Sequence, residues 1–157
     1  MSENITALAG ATGHLGGLVA KALRDRGARV RAIVRPGATP GKLASLRQLG
    51  VHISEADYGD ATQLSRACEG TACVVSTLAG MRDTMVDAQS ALLDAAVAAG
   101  VPRFIPSDFA IDFYRMPAGY NRNLDWRREF GARPNYASLS ANCGRCRQCP
   151  RPFAHRG

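Results

Sequence analysis

Three glycines spaced three residues apart, Gly10, Gly13 and Gly16, carry the first chemical signal of the chain. They follow the apolar run Ile5 to Ala9 and precede Leu15, Leu18, Val19, Ala22 and Leu23, which recur at helical spacing. A strand, a tight glycine turn and a helix in that order form a phosphate cradle. Gly10 lets the chain reverse, Gly13 lets backbone N–H groups come close to a pyrophosphate, and Gly16 lets the helix lie near the strand. The helix then offers its N–H groups and the positive end of its dipole to an anion. Thr12, His14 and Leu15 stand between the glycines and line the same turn. Gly-x-x-Gly-x-x-Gly departs from the commoner Gly-x-Gly-x-x-Gly, and the spacing alone would equally suit a flexible loop. The flanking strand and helix make dinucleotide binding the expectation.

The second signal lies about twenty residues further on, where a dinucleotide-binding unit meets the adenosine ribose. An acid there binds the 2′-hydroxyl of NAD, whereas an Arg accommodates the 2′-phosphate of NADP. Arg35 occupies this place, and no acid lies between Asp25 and Glu55. Its guanidinium fork matches a phosphate, so NADP(H) is expected in preference to NAD(H). A solvated Arg in a loop with Pro36 and Gly37 is the plainer reading. Lys42 adds a second positive charge near the same phosphate or is simply a solvated helix residue. Asp57 either accepts from the adenine amino group or caps a helix, for which Asp60 is better placed. Thr77 and Leu78 open a loop expected to run along the cofactor, and Ser107 ends a strand where nicotinamide and substrate should meet.

Proton donors are harder to find. No Tyr-x-x-x-Lys occurs, and the only lysines are Lys21 and Lys42. Asp108, Tyr114 and Tyr120 fall near the expected cleft, where positioning or capping suits each better than catalysis. The catalytic residues stay unknown.

The elements that must hold these groups alternate. Helices are expected over His14 to Arg26, Leu43 to Leu49, Gln63 to Cys68 and Asp83 to Ala99, with strands over Ala28 to Val34, Val51 to Ala56, Thr71 to Thr77 and Val101 to Ile105. Five strands alternating with helices imply an α/β fold, a Rossmann-like doubly wound parallel sheet of about five strands, incomplete on its C-terminal side.

Several motifs together resemble the NmrA-like and isoflavone-reductase-like group of atypical short-chain dehydrogenases. They are Gly10-Ala11-Thr12-Gly13-His14-Leu15-Gly16-Gly17, Val34-Arg35-Pro36, Leu92-Leu93-Asp94-Ala95-Ala96, Ala99-Gly100-Val101, Arg103-Phe104-Ile105-Pro106-Ser107-Asp108-Phe109 and Asn121-Arg122-Asn123-Leu124-Asp125. The likeness runs from about Ile5 to Phe130. It implies an NADP(H)-binding Rossmann domain over 1–130, followed in full-length members by further strands and a substrate region. Some members reduce small aromatic or quinone-like compounds, and others bind the nucleotide without turnover as redox sensors. Reductases of the isoflavone type place a Lys about four residues before an Arg-Arg segment; if Arg127-Arg128 is that segment, Asn123 holds the place here.

The 157 residues suffice for one domain, and the net charge of +7 is unevenly spread. Residues 1–130 hold fifteen Lys and Arg against thirteen Asp and Glu, so the globular part is nearly neutral and no nucleic-acid partner is expected. No apolar run approaches the roughly 18 residues of a membrane helix. There is no basic region ahead of the first apolar run to suggest a signal peptide. Cys68 and Cys73 suit a reducing, cytoplasmic setting.

From Gly131 to Gly157 the chain holds five Arg and no acid. Its Cys143-x-x-Cys146-x-x-Cys149-Pro150 run has the spacing of thiolates that share a metal, but only His155 offers a fourth ligand. No metal is expected. The segment reads as an irregular tail, and a shift of reading frame near Phe130 in a GC-rich gene explains the loss of acids and of family likeness. Two functions follow: a non-catalytic or truncated NADP(H)-binding domain, or an NADPH-dependent reductase of a small aromatic or quinone-like substrate. Beyond the dinucleotide and such a substrate, no partner is implied.

Overall fold

The computed structural model describes residues 4–136. Five strands, β1 (Ile5–Ala9), β2 (Arg29–Val34), β3 (His52–Glu55), β4 (Cys73–Ser76) and β5 (Phe104–Ile105), form one sheet in the order β3-β2-β1-β4-β5 with every pair parallel. Helices α1 (His14–Asp25), α2 (Pro40–Gln48), α3 (Ala61–Cys68), α4 (Gln89–Ala98) and α5 (Arg122–Gly131) connect and extend it. This is the Rossmann-like α/β architecture that the alternation of elements predicts. Among the described residues no helix is long and apolar enough to cross a membrane.

Both faces of the sheet are covered, which is why its strands read as nearly continuous apolar runs. Side-chain alternation divides them. Ala7, Ala9, Ile33 and Val74 face one layer with Leu64, Leu92, Leu93, Ala96 and Phe130; Leu8, Val30, Ala32, Val34 and Val75 face the other with Ala20 and Leu46. Helix ends follow local chemistry. Gly27, Gly50 and Gly100, each just past a helix, have φ of +77°, +73° and +67°, the left-handed conformation that stops a helix cheaply. Asp60 accepts from the N–H groups of Thr62 and Gln63 at 2.9 and 3.0 Å and so caps α3, as expected, while Asn121 caps α5 through Asn123 N–H at 2.9 Å.

Four differences from the sequence reading have physical causes. The single helix expected over Asp83 to Ala99 opens instead with a π-helical turn, Asp83–Ala88, before α4 begins at Gln89. β5 pairs over two residues rather than five, because Pro102 has no N–H to give and the strand is an edge. α2 begins at Pro40, three residues early, since Pro is suited to the first helical turn. Finally, ordered packing passes the boundary at Phe130. α5 closes at Gly131, a helical turn follows over 134–136, and the Tyr136 ring meets Phe130 edge-on at 5.4 Å. The cysteine-rich run and the rest of 137–157 lie outside the described residues.

Phe130 has no exposed surface and stacks at 6.3 Å from Phe104 of the edge strand, so it ties α5 to the sheet. Phe130→Ala should cost about 3–5 kcal/mol in urea denaturation. Phe109→Ala, at a site 56 % exposed, should stay within about 0.5 kcal/mol of the wild type. Equal costs at the two positions would contradict this packing.

Candidate functional site

Because all five strands run the same way, their carboxyl ends share one rim of the sheet. β1 lies between β2 and β4, so the connections leave in opposite directions on its two sides and open a crevice beside its end. Gly10 follows β1 there with φ +78°. A Cβ on it would stand 2.7 Å from the Thr77 carbonyl oxygen, so no other residue fits. Gly13 N–H donates to the Gly10 carbonyl at 3.0 Å and closes the turn. Gly16 is buried, and a Cβ there would fall on that same Gly10 carbonyl. Glycine at 10 and 16 is therefore a packing requirement between β1, β4 and α1.

Gly13 is the N-cap of α1, and no side chain caps this helix, in contrast to α3 and α5. Its first-turn N–H groups are left for an outside acceptor. Thr12 is half-buried beside them, and His14 and Leu15 are exposed. Around the same rim, Arg35 follows β2 directly and is exposed, and Lys42 is exposed in the first turn of α2. Two cationic residues thus stand beyond the end of β2, and no acid accompanies them in 35–42.

Asp57 also reaches this rim, after β3, but its Oδ1 accepts from Gly59 N–H at 2.8 Å and so serves its own turn. Thr77 is buried and turned inward. Its N–H and its hydroxyl both donate to the Ala9 carbonyl, at 2.9 and 2.7 Å, and so pin β4 to β1 just before the glycine turn. Ser107 is buried after β5, and its hydroxyl donates to the Leu78 carbonyl at 2.7 Å, joining the loop expected along the cofactor to the strand end expected at the nicotinamide. Gly10, Thr12, Gly13, His14, Leu15, Gly16, Arg35, Lys42, Asp57, Thr77, Leu78 and Ser107 therefore all lie toward one end of the sheet.

The tyrosines weighed as proton donors do not converge. Tyr114 stacks on Phe113 at 4.6 Å with its hydroxyl toward Gly131 of α5, and Tyr120 is 73 % exposed. Asn123, in the place of the lysine, is exposed in the first turn of α5, where its carbonyl accepts from Arg127 at 2.9 Å. Asp108 turns toward the interior. Tyr136 donates to its Oδ2 at 3.3 Å, while burial, only partly offset by the Arg127 guanidinium and the Tyr136 hydrogen bond, pushes its carboxyl up to about 6. Gln89 went unnoticed in the sequence reading. It is wholly buried and accepts from Ser107 N–H at 2.8 Å; the available signal was a polar pair, Gln89-Ser90, on the apolar side of an Ala- and Leu-rich helix. Among the described residues no group of three His, Cys, Asp or Glu could hold a metal.

A parallel sheet whose order reverses at a glycine turn opening onto an uncapped helix defines a Rossmann-type dinucleotide-binding domain. A sequence profile of the NmrA-like family matches residues 1–120, and the chain belongs to that family. It is 34 % identical over 113 residues to a bifunctional pinoresinol-lariciresinol reductase of Linum usitatissimum, covering 68 % of this chain and 36 % of that protein. The solved structure of AtPrR2 with NADP+ and (+)-pinoresinol has a TM-score of 0.74 at 27 % identity, over 90 % of this chain and 47 % of that one. The binary complex of leucoanthocyanidin reductase with NADPH from Vitis vinifera gives 0.70 at 27 %, over 88 % and 46 %. The chain spans less than half the length of each of these relatives.

The raised Asp108 carboxyl gives the fold a pH signature. Its ordinary value is 3.8, so between about pH 4 and 6 the folded chain keeps a proton that the unfolded chain has lost. Stability then falls as pH rises through this window. Asp108→Asn cannot ionise and should gain on the wild type by about 1–3 kcal/mol between pH 4.5 and pH 8, read from urea midpoints at the two values. A wild-type-to-variant difference that does not move with pH would contradict the assignment.

Proposed function

We propose that this chain binds NADP(H), with the pyrophosphate on the glycine turn and the open N–H groups of α1, and the adenosine 2′-phosphate on Arg35 with support from Lys42. One observation carries the reading: α1 begins on a glycine, without a side-chain cap, at the crevice where the sheet order reverses. The residues present fit the group. The orphan N–H groups suit an anion, the space beside Gly13 is closed off only by the Gly10 carbonyl, and the exposed guanidinium follows β2. The NADP+ and NADPH in the two solved relatives support the choice of nucleotide. Bound NADPH supplies a hydride at its nicotinamide. This chain's own contribution is to bind and orient the dinucleotide.

The segment spanned here acts as a nucleotide-binding module without turnover. It has neither Tyr-x-x-x-Lys nor a lysine at Asn123, and neither Lys21 nor Lys42 lies at the β5 side of the rim. The pinoresinol and isoflavone reductases among the relatives favour a second reading, an NADPH-dependent reductase of a small aromatic compound whose proton donor lies elsewhere. NADPH oxidation against a panel of quinones and lignan-type phenols separates the two. The buried Cys68, whose thiol burial pushes up to about 11, fits a reducing, cytoplasmic setting.

In isothermal titration NADPH should bind more tightly than NADH. Arg35→Ala should close most of that gap by removing a charge-assisted contact of about 1–3 kcal/mol while leaving NADH affinity in place. Equal affinities in the wild type would reject the 2′-phosphate site. Gly13→Val should abolish binding of both nucleotides in protein that circular dichroism shows to be folded, because a branched side chain would fill the cradle. Retained affinity would reject the glycine turn as the phosphate site.

A further inference from the structure

The polar interior of the β5 side of the rim is organised by one residue that touches none of the expected nucleotide-binding groups except Ser107. The π-helical turn Asp83–Ala88 runs directly into α4, and the two side chains at its exit, Gln89 and Ser90, are buried among Leu92, Leu93 and Val86. A π turn is wider than an α turn and is frequently found beside functional sites. Ser90 Oγ donates back to the Val86 carbonyl, and Gln89 Nε2 donates to the Met85 carbonyl at 3.3 Å. The other end of the Gln89 amide faces outward from the helix, where Oε1 accepts from Ser107 N–H at 2.8 Å. Ser107 Oγ in turn donates to the Leu78 carbonyl at 2.7 Å, and Leu78 adjoins Thr77, which pins the end of β1 through Ala9. Three hydrogen bonds therefore link the π turn, the segment after β5 and the loop after β4, and the Thr77-Leu78 peptide joins them to the Thr77 bond on Ala9, one residue short of Gly10.

We infer that Gln89 is a positioning residue for the nicotinamide half of the dinucleotide, acting through Ser107 and the Leu78 carbonyl. The inference rests on the NADP(H) reading. Gln89 is suited to the role because one amide group both accepts from Ser107 and donates to Met85, so its orientation is fixed at both ends. Having no exposed surface, it cannot touch the ligand itself. Without it, the Ser107 N–H and Met85 carbonyl lose their side-chain partner in a buried setting, and the Ser107 and Leu78 loops are free to settle in other arrangements. The adenosine half, held beyond β2 and β3 on the far side of β1, shares no bond with this run.

The test compares two probes on the whole chain: NADPH, and 2′,5′-ADP, which carries the adenosine 2′-phosphate and no nicotinamide. Gln89→Met preserves side-chain length and removes both amide contacts. It should weaken NADPH at least tenfold and leave 2′,5′-ADP within twofold of the wild type. Ser107→Ala, which leaves Gln89 in place, should show the same split. In the double variant the NADPH loss should be no greater than in the larger single one, since both substitutions cut one path. A Gln89→Met variant that weakens both probes equally would make Gln89 a stability residue only and overturn the inference, as would an unchanged NADPH affinity or fully additive losses. If Gln89→Met does not fold, Gln89→Leu takes its place with the same expected split, and should neither fold Ser107→Ala carries the test: equal weakening of both probes or an unchanged NADPH affinity there would overturn the inference. A wild-type chain that binds 2′,5′-ADP but not NADPH overturns the inference while sparing the Arg35 site. A wild type that binds neither probe overturns the NADP(H) reading itself.

Discussion

The approach of three backbone segments to within a distance that excludes any Cβ is the constraint on which this fold depends. The end of β1, the end of β4 and the first turn of α1 converge on Gly10, whose carbonyl lies under Gly16 and whose Cα lies against Thr77. A side chain at either glycine would push α1 off the sheet, and with it the layer of Ala20, Leu46 and the upper face of β2. The same closeness aims α1 across the crevice. Its open N–H groups face outward because the helix starts immediately after a turn that Gly13 N–H has already closed on Gly10. Steric economy and anion chemistry have one cause here, which is why the glycines are informative beyond their spacing.

Most of this was legible in the sequence because each signal was local. Glycines past helix ends, Asp60 before α3, and apolar runs of strand length report on their neighbours alone, and those elements form where expected. The rim followed from topology: once all strands were parallel, Arg35, Asp57, Thr77 and Ser107 had to share an end. Side-chain direction was less legible. Thr77 gives its hydroxyl to the Ala9 carbonyl, and Asp57 accepts from Gly59 N–H, backbone partners that only the folded chain brings within reach. The π turn was invisible, since Asp83–Ala88 has ordinary helical composition. Among the described residues Phe130 is the largest wholly buried side chain, which composition could not show, because burial depends on what α5 packs against.

The electrostatics divide the molecule in the same way as the chemistry. Beyond β2 stand exposed cationic residues, available to an outside charge. Beyond β5 the polar groups are turned inward, Gln89 and Ser107 paired and Asp108 held above the usual carboxylate range. Ile105 of β5 is 38 % exposed and Leu18 of α1 is 55 % exposed, while the prolines at 102 and 106 flank the short edge strand and limit its capacity to pair further.

The central place of β1 also sets an order of events during synthesis. Its β2 side can pair once Arg29 to Ile33 have been made, but its β4 side must wait for Cys73 to Ser76, and the Thr77 hydroxyl bond to Ala9 spans 68 residues of chain. Until then that flank of β1 has no partner for its N–H and C=O groups. Closing that gap is slow relative to the local steps, because contacts distant in sequence form only after the intervening chain has been ordered. The glycine turn, which needs Thr77 beside Gly10 to take its final shape, is thus complete only once the fourth strand is in place.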